Sequence, residues 1–168
     1  MLGVMSANER TDIKVFAVCA TALYVKFLAT TMIQGRKSFS AGTRTPEDNK
    51  LPMAKGYPLQ SFRTQQEQLE DKAIKLALDN ETRWKRIVQN DLESMPMAFV
   101  VFWGCIVAGG NQTLTSLLLA LYTTARISHT ITFAYQMPLT RMSSWIAGLA
   151  CILGAGINGT IAPLTSLA

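Results

Sequence analysis

The chain has 168 residues, 49% of them hydrophobic and 16% charged, with 16 Lys+Arg against 11 Asp+Glu. Over residues 94–168 only Arg126 and Arg141 carry charge, and a stretch that poor in charge cannot form the surface of a soluble domain, where about a quarter of residues are charged. The composition therefore predicts an integral membrane protein, and at about 20 residues per span plus loops the length excludes a transporter of two large repeats and leaves room for roughly four helices.

The N-terminal residues 1–13 mix acids and bases and precede the first apolar run, 15–33, which is expected to be a retained anchor rather than a cleaved signal. Further apolar runs at 95–109, 114–133 and 145–161 complete the set, and the predicted spans are 14–33, 83–109, 113–134 and 143–162. The second run is short, but helical residues continue upstream to Arg83, so this helix is expected to project beyond the bilayer with its polar start at the surface. The polar stretch 34–93 holds 11 of the 16 basic residues together with nine acids. The bias of Lys and Arg toward the cytoplasm places the loop 34–82 in the cytosol and both termini on the opposite side.

Within that loop, 38–62 is rich in Gly, Pro and Ser and reads as irregular. Thr64-Gln65-Gln66-Glu67 is a capping-box pattern, followed by Leu69, Ile74, Leu76 and Leu78 among charges. It predicts an extra interfacial or cytosolic helix over about 65–78, broken near Asp79-Asn80. Spans two and three are joined by the tight turn Gly109-Gly110-Asn111-Gln112, with Asn111 the expected N-cap, and Pro138 marks the turn before the last span. Asn111-Gln112-Thr113 is a glycosylation sequon, too near the bilayer for modification to be expected. Cys19, Cys105 and Cys151 lie in apolar runs without a CxxC pair and read as reduced packing residues. Basic residues alternate with acids instead of forming a block, so nucleic acid is not an expected partner; anionic lipid headgroups or a small anionic ligand fit better.

Polar residues inside or beside the spans carry the functional signal, because charge is costly in the bilayer and usually faces protein or water. Arg83, Arg86, Asn90 and Glu93 are spaced three, four and three apart and fall within roughly 80° of one helical face. Tyr122, Arg126, His129 and Phe133 share a face of the third span, with Arg126 about 12 Å inside it at 1.5 Å per residue. Arg141 opens the fourth span. The topology brings Arg86, Asn90, Glu93, Arg126, His129 and Arg141 to the cytosolic leaflet with an excess of about two positive charges, expensive at low dielectric without an anion. A carboxylate ligand suits the planar fork of arginine. The plainer alternative is an ion pair between Glu93 and Arg126 that fixes packing. Lys26 sits mid-span without an evident partner and is expected to snorkel or face a neighbour. His129 lacks companions at metal-ligand spacing, so no metal is expected.

The run Arg83-x-x-Arg86-x-x-x-Asn90-Asp91-Leu92-Glu93 followed by Pro96, and the later Ala125-Arg126-Ile127-Ser128-His129-Thr130, resemble the MAPEG superfamily, the membrane-associated proteins of eicosanoid and glutathione metabolism. The likeness is to the microsomal glutathione transferase 1 and prostaglandin E synthase branch, with support from Arg36-Lys37-x-Phe39 and Pro46-Glu47-Asp48. The resemblance implies an all-α fold, a four-transmembrane-helix bundle forming a homotrimer, with glutathione as co-substrate between subunits near the cytosolic leaflet. By position, Arg86, Asn90 and Glu93 would hold the glutathione backbone, Arg126 and His129 would line the pocket, Tyr135 and either Ser143 or Ser144 would assist, and Arg141 would face the sulfur as the catalytic residue. The sequence departs from the family pattern at Gln89, where another basic residue is usual, at Ile33 or Gln34, where an arginine is expected, and at Phe133, where a tyrosine is usual.

The chemistry implied is stabilisation of the glutathione thiolate by a guanidinium and its attack on a hydrophobic electrophile or a lipid hydroperoxide drawn from the bilayer. The leading expectation is a membrane-bound glutathione S-transferase or peroxidase of the endoplasmic reticulum or mitochondrion. Alternatives are a non-catalytic MAPEG-like subunit of a larger membrane complex and a glutathione-dependent eicosanoid synthase or isomerase.

Overall fold

A computed structural model of the chain describes residues 10–62 and 72–165. They form four helices, α1 (Thr11–Ala41), α2 (Lys72–Val107), α3 (Gln112–Ala134) and α4 (Pro138–Thr165), with two short 3-10 turns, Pro46–Lys50 and Pro52–Ala54, after α1. No strand occurs among the described residues. Two of the helices, α1 and α4, are long and apolar enough to cross a membrane. Only 17% and 22% of their apolar windows are buried within the chain, so most of that surface faces neither water by preference nor this chain's own core. Val18, Val25 and Met32 on α1 and Leu153, Ile157 and Ile161 on α4 are exposed in this way. At 36 residues, α2 is about 54 Å long, well beyond a hydrocarbon core of about 30 Å, in keeping with its expected projection.

Two expectations about the loop are corrected. The capping box at 64–67 lies outside the described residues, and what is described of the expected 65–78 helix, from Lys72 onward, belongs to α2. No break occurs at Asp79-Asn80: α2 runs straight through. Tertiary anchoring overrides the weak helix propensity of Asp and Asn there, because Leu78 and Glu81 on either side are buried. Glu81 accepts from the Thr43 hydroxyl and pairs with Lys85 one turn on at 2.8 Å.

The chain divides into two compact units. The larger consists of the chain up to Lys26 and from Asp91 onward. Its core is built on Leu23, Ala98, Phe102, Cys105, Ile106, Leu119, Tyr122 and Ala155, with the Phe102 and Tyr122 rings 5.7 Å apart. All three cysteines are reduced and buried, as their apolar settings predicted. At the turn between α2 and α3, Asn111 caps α3 by accepting from the Leu114 amide at 3.0 Å. Asn158 of α4 donates to Thr115 Oγ1 at 2.9 Å and accepts from the Asn111 amide at 3.1 Å. Here α4 meets α2 so closely that a Cβ on Gly159 would lie 2.8 Å from Cys105 Cα. That neighbour is backbone and cannot swing aside. Gly159→Ala should therefore push the helices apart and lower stability by about 1–3 kcal/mol, typical of overpacking; the thermal unfolding midpoint in detergent is the measurement.

The smaller unit, Phe27–Asn90, corrects the reading of 38–62 as irregular. Helix α1 continues to Ala41, and the segment after it is organised around one buried side chain, Gln60. Its Nε2 donates to the carbonyls of Phe39 at 3.1 Å and Pro58 at 2.6 Å, and its Oε1 accepts from the Arg44 amide at 3.3 Å. Asn49 closes the ring, bonding both the amide and the carbonyl of Gln60 at 2.9 Å. Gly- and Pro-rich composition signals turns, but it does not reveal that one buried amide will satisfy several of the loop's backbone groups at once.

Candidate functional site

In the larger unit the site grows from the core face of α2. Asp91, Met95, Ala98, Phe102 and Cys105 follow one another at spacings of four and three, and all five are buried. This face carries an acid, Asp91, deep among apolar neighbours. Lys26 of α1 donates to its two oxygens at 2.6 and 2.7 Å, and Arg126 of α3 donates Nη2 to Oδ1 at 2.5 Å. Two cations thus share one carboxylate in a buried triad, with Arg126 2% exposed. One turn before Arg126, Tyr122 shares a hydrogen bond with Ser94 of α2 at 3.1 Å.

The triad revises two expectations. Asp91, which the spacing of polar residues did not single out, is an interhelical partner of Arg126; Glu93, at about 160° from Asp91 around the helix axis, is exposed. Lys26 does not snorkel: it is the third member of the triad. The sequence did carry a signal for Asp91, namely an acid spaced four residues from both Ile87 and Met95 on the apolar face.

At the other end of α3 a second cluster forms. The His129 ring meets Phe133 edge-on at 5.9 Å, and the Arg141 guanidinium, in the first turn of α4, sits 4.5 Å above the same Phe133 ring. The phenylalanine that stands in place of a tyrosine therefore supports Arg141 through its π-face, a cation–π contact, instead of through a hydroxyl. His129 itself is buried. Tyr135 is exposed, and the exposed Ser143 turns its hydroxyl to the Leu139 carbonyl of its own helix at 2.8 Å. Ser144, one residue on, reaches across to Ser128 of α3 at 3.0 Å.

The smaller unit holds the other expected ligand residues on α2. Arg86 is exposed, Asn90 is half-buried, and Arg83 has a buried Nε without a hydrogen-bond partner among the described residues. Arg86 lines a cleft of about 450 Å³ together with Gln34, Thr82, Lys85, Val88 and Gln89. Of these, Gln89 is a position at which a basic residue was expected, and Gln34 is one of the two candidates, with Ile33, for the position of the other. The amides of Gln34 and Gln89 both donate and accept, and Lys85 is paired with Glu81, which leaves Arg86 to supply the cleft's positive charge.

Of the expected ligand set, Arg86, Glu93, Tyr135 and Ser143 are exposed on the protomer, Arg141 is partly exposed, and Arg126 and His129 are buried. The family model for the MAPEG family matches residues 15–159. A search of curated proteins gave no match.

Proposed function

Because the chain belongs to the MAPEG family, and is thus an integral membrane protein related to glutathione chemistry, we propose that it is a membrane-bound glutathione S-transferase or peroxidase. In this reading it acts as a homotrimer of four-span subunits. The observation that carries the reading is the cleft beside Arg86: an exposed guanidinium on α2 next to the Lys85–Glu81 ion pair, flanked by the amides of Gln34 and Gln89 and the Thr82 hydroxyl. That set complements a peptide with two carboxylates and an ammonium, and the fork of Arg86 suits a carboxylate. Because Arg86 is exposed on one protomer, a ligand held between copies would find it accessible.

Arg141 is assigned to the sulfur. Resting on Phe133, it is held without a carboxylate in the contacts that position it, so its charge is available to favour thiolate over thiol. The thiolate then attacks an electrophilic carbon, forming a C–S bond as the leaving group departs with its electron pair, or a peroxide oxygen, forming an S–O bond as the O–O bond breaks and the alkoxide leaves to take up a proton; a second glutathione thiol then displaces the sulfenic oxygen as water and forms the disulfide. Arg126 and His129, buried within the protomer, serve by positioning: the triad sets where α3 carries Phe133.

A second reading, a non-catalytic subunit that keeps the family fold, is favoured by the neutral Gln34 and Gln89 on the cleft wall. One experiment separates the two. Purified in mild detergent, the chain should bind glutathione saturably in calorimetry, and Arg86→Ala should weaken binding about 10- to 100-fold, as expected for loss of a charged hydrogen-bond donor. Arg44→Ala should leave binding unchanged, since that guanidinium is paired with Asp48. Absence of binding by the parent chain, with other membrane proteins co-purifying in fixed ratio, would establish the structural subunit instead.

A further inference from the structure

The segment after α1 combines two properties that rarely coincide in an exposed loop: it is tied down, and it is greasy. Gln60 anchors it to the Phe39 carbonyl, the Ser61 amide bonds the Gly42 carbonyl at 3.2 Å, and the Phe62 amide bonds the Arg44 carbonyl at 3.1 Å. Tyr57 packs on Phe39 with ring centroids 5.8 Å apart. On this fixed frame Leu51, Met53, Tyr57, Leu59 and Phe62 are all exposed, Leu59 at 68%. Because the frame is hydrogen-bonded, their outward direction is built in by the fold, and a set of large apolar side chains held outward marks an interaction surface.

We propose that the loop 46–62 is an interfacial anchor that seats in the headgroup region of an anionic lipid leaflet, with Leu59 and Phe62 reaching the acyl boundary. Three observations choose lipid over a protein partner. The loop is bonded to the last turn of α1, a helix long and apolar enough to cross the bilayer, and within this unit the exposed Leu28 and Met32 lead along α1 toward it. Arg36 and Lys37 intervene, at the place where cations mark the edge of a span. Of the loop's charges, Arg44 and Asp48 neutralise each other and Glu47 is an exposed acid, while Lys50 and Lys55, exposed on either side of Met53, leave a balance of one positive charge. Lysines flanking apolar tips, with a tyrosine between the two media, form the pattern that binds anionic headgroups.

The full chain in nanodiscs tests this. A nitroxide on Leu59→Cys should be more accessible to oxygen and less accessible to a water-soluble nickel chelate than one on Thr45→Cys, an exposed position outside the apolar set; Phe62→Cys repeats the measurement at an independent site. The native cysteines are buried, and the parent chain supplies the background. Lys50→Glu with Lys55→Glu should shrink the contrast in discs containing phosphatidylserine and leave it unchanged in phosphatidylcholine alone. Labels at 59 and 62 as open to nickel as the one at 45 would overturn the proposal. So would labels closed to both reagents, which would mean that a second copy covers the surface. A contrast indifferent to the lysines and to phosphatidylserine would overturn the choice of an anionic leaflet.

Discussion

Replacing Asp91 by Asn is expected to lower stability by about 3–5 kcal/mol, the usual cost of leaving buried charge uncompensated. The effect is large because Asp91 serves two cations at once, Lys26 at 2.6 Å and Arg126 at 2.5 Å. Its loss leaves both facing each other at low dielectric. Lys26→Met should behave oppositely: it removes the surplus charge, leaves the Asp91–Arg126 pair balanced, and should be neutral or stabilising. In the double variant Lys26→Met with Asp91→Asn, part of the loss should return, because one of the two stranded cations is gone. Unfolding midpoints of the four proteins in detergent form a double-mutant cycle whose coupling term measures the triad directly. If Asp91→Asn and Lys26→Met cost the same, the carboxylate is not shared in the way the distances indicate.

Arg141→Ala is expected to reduce turnover about 100- to 1,000-fold, the scale seen when one group stabilising a developing or reacting anion is removed. Binding of glutathione should change far less, because the carboxylates are assigned to Arg86 and the cleft. The sign of the pH effect follows from the charge. Removing a cation near the sulfur raises the pKa of the bound thiol, so the rising limb of the rate profile should move to higher pH and the thiolate absorbance at neutral pH should fall. Arg141→Lys should restore part of both, since a point charge remains although the planar contact with Phe133 is lost. Unchanged turnover in Arg141→Ala would assign the sulfur to another group.

Much of the candidate site was legible in the polar residues of the apolar runs, because each is an anomaly in its own local context. Arg126 stands out in any apolar window, and the spacing of Arg83, Arg86, Asn90 and Glu93 predicts a shared face without reference to the rest of the chain. Pairing was harder to read. Asp91 is adjacent to Asn90 and two residues from Glu93, yet the spacing does not mark it as the acid that meets Arg126, since helical spacing groups residues by azimuth but does not say which azimuth faces the core. The loop 42–62 was opaque for a related reason: Gly, Pro and Asn mark turns through their own dihedral preferences, whereas the anchor, Gln60, is a residue whose role depends on where three other backbone groups, the Phe39 and Pro58 carbonyls and the Arg44 amide, come to lie.

Hydropathy and charge along the chain determined by themselves that this is a helical membrane protein with an arginine and a histidine set in an apolar run, and the order of its motifs pointed to its family, because these properties are local and add up residue by residue. The tertiary structure decided which acid neutralises Arg126, that Lys26 belongs to the same triad, and that Phe133 carries Arg141. Those facts depend on the rotation of one helix against another, which packing across many residues fixes and no short stretch of sequence encodes.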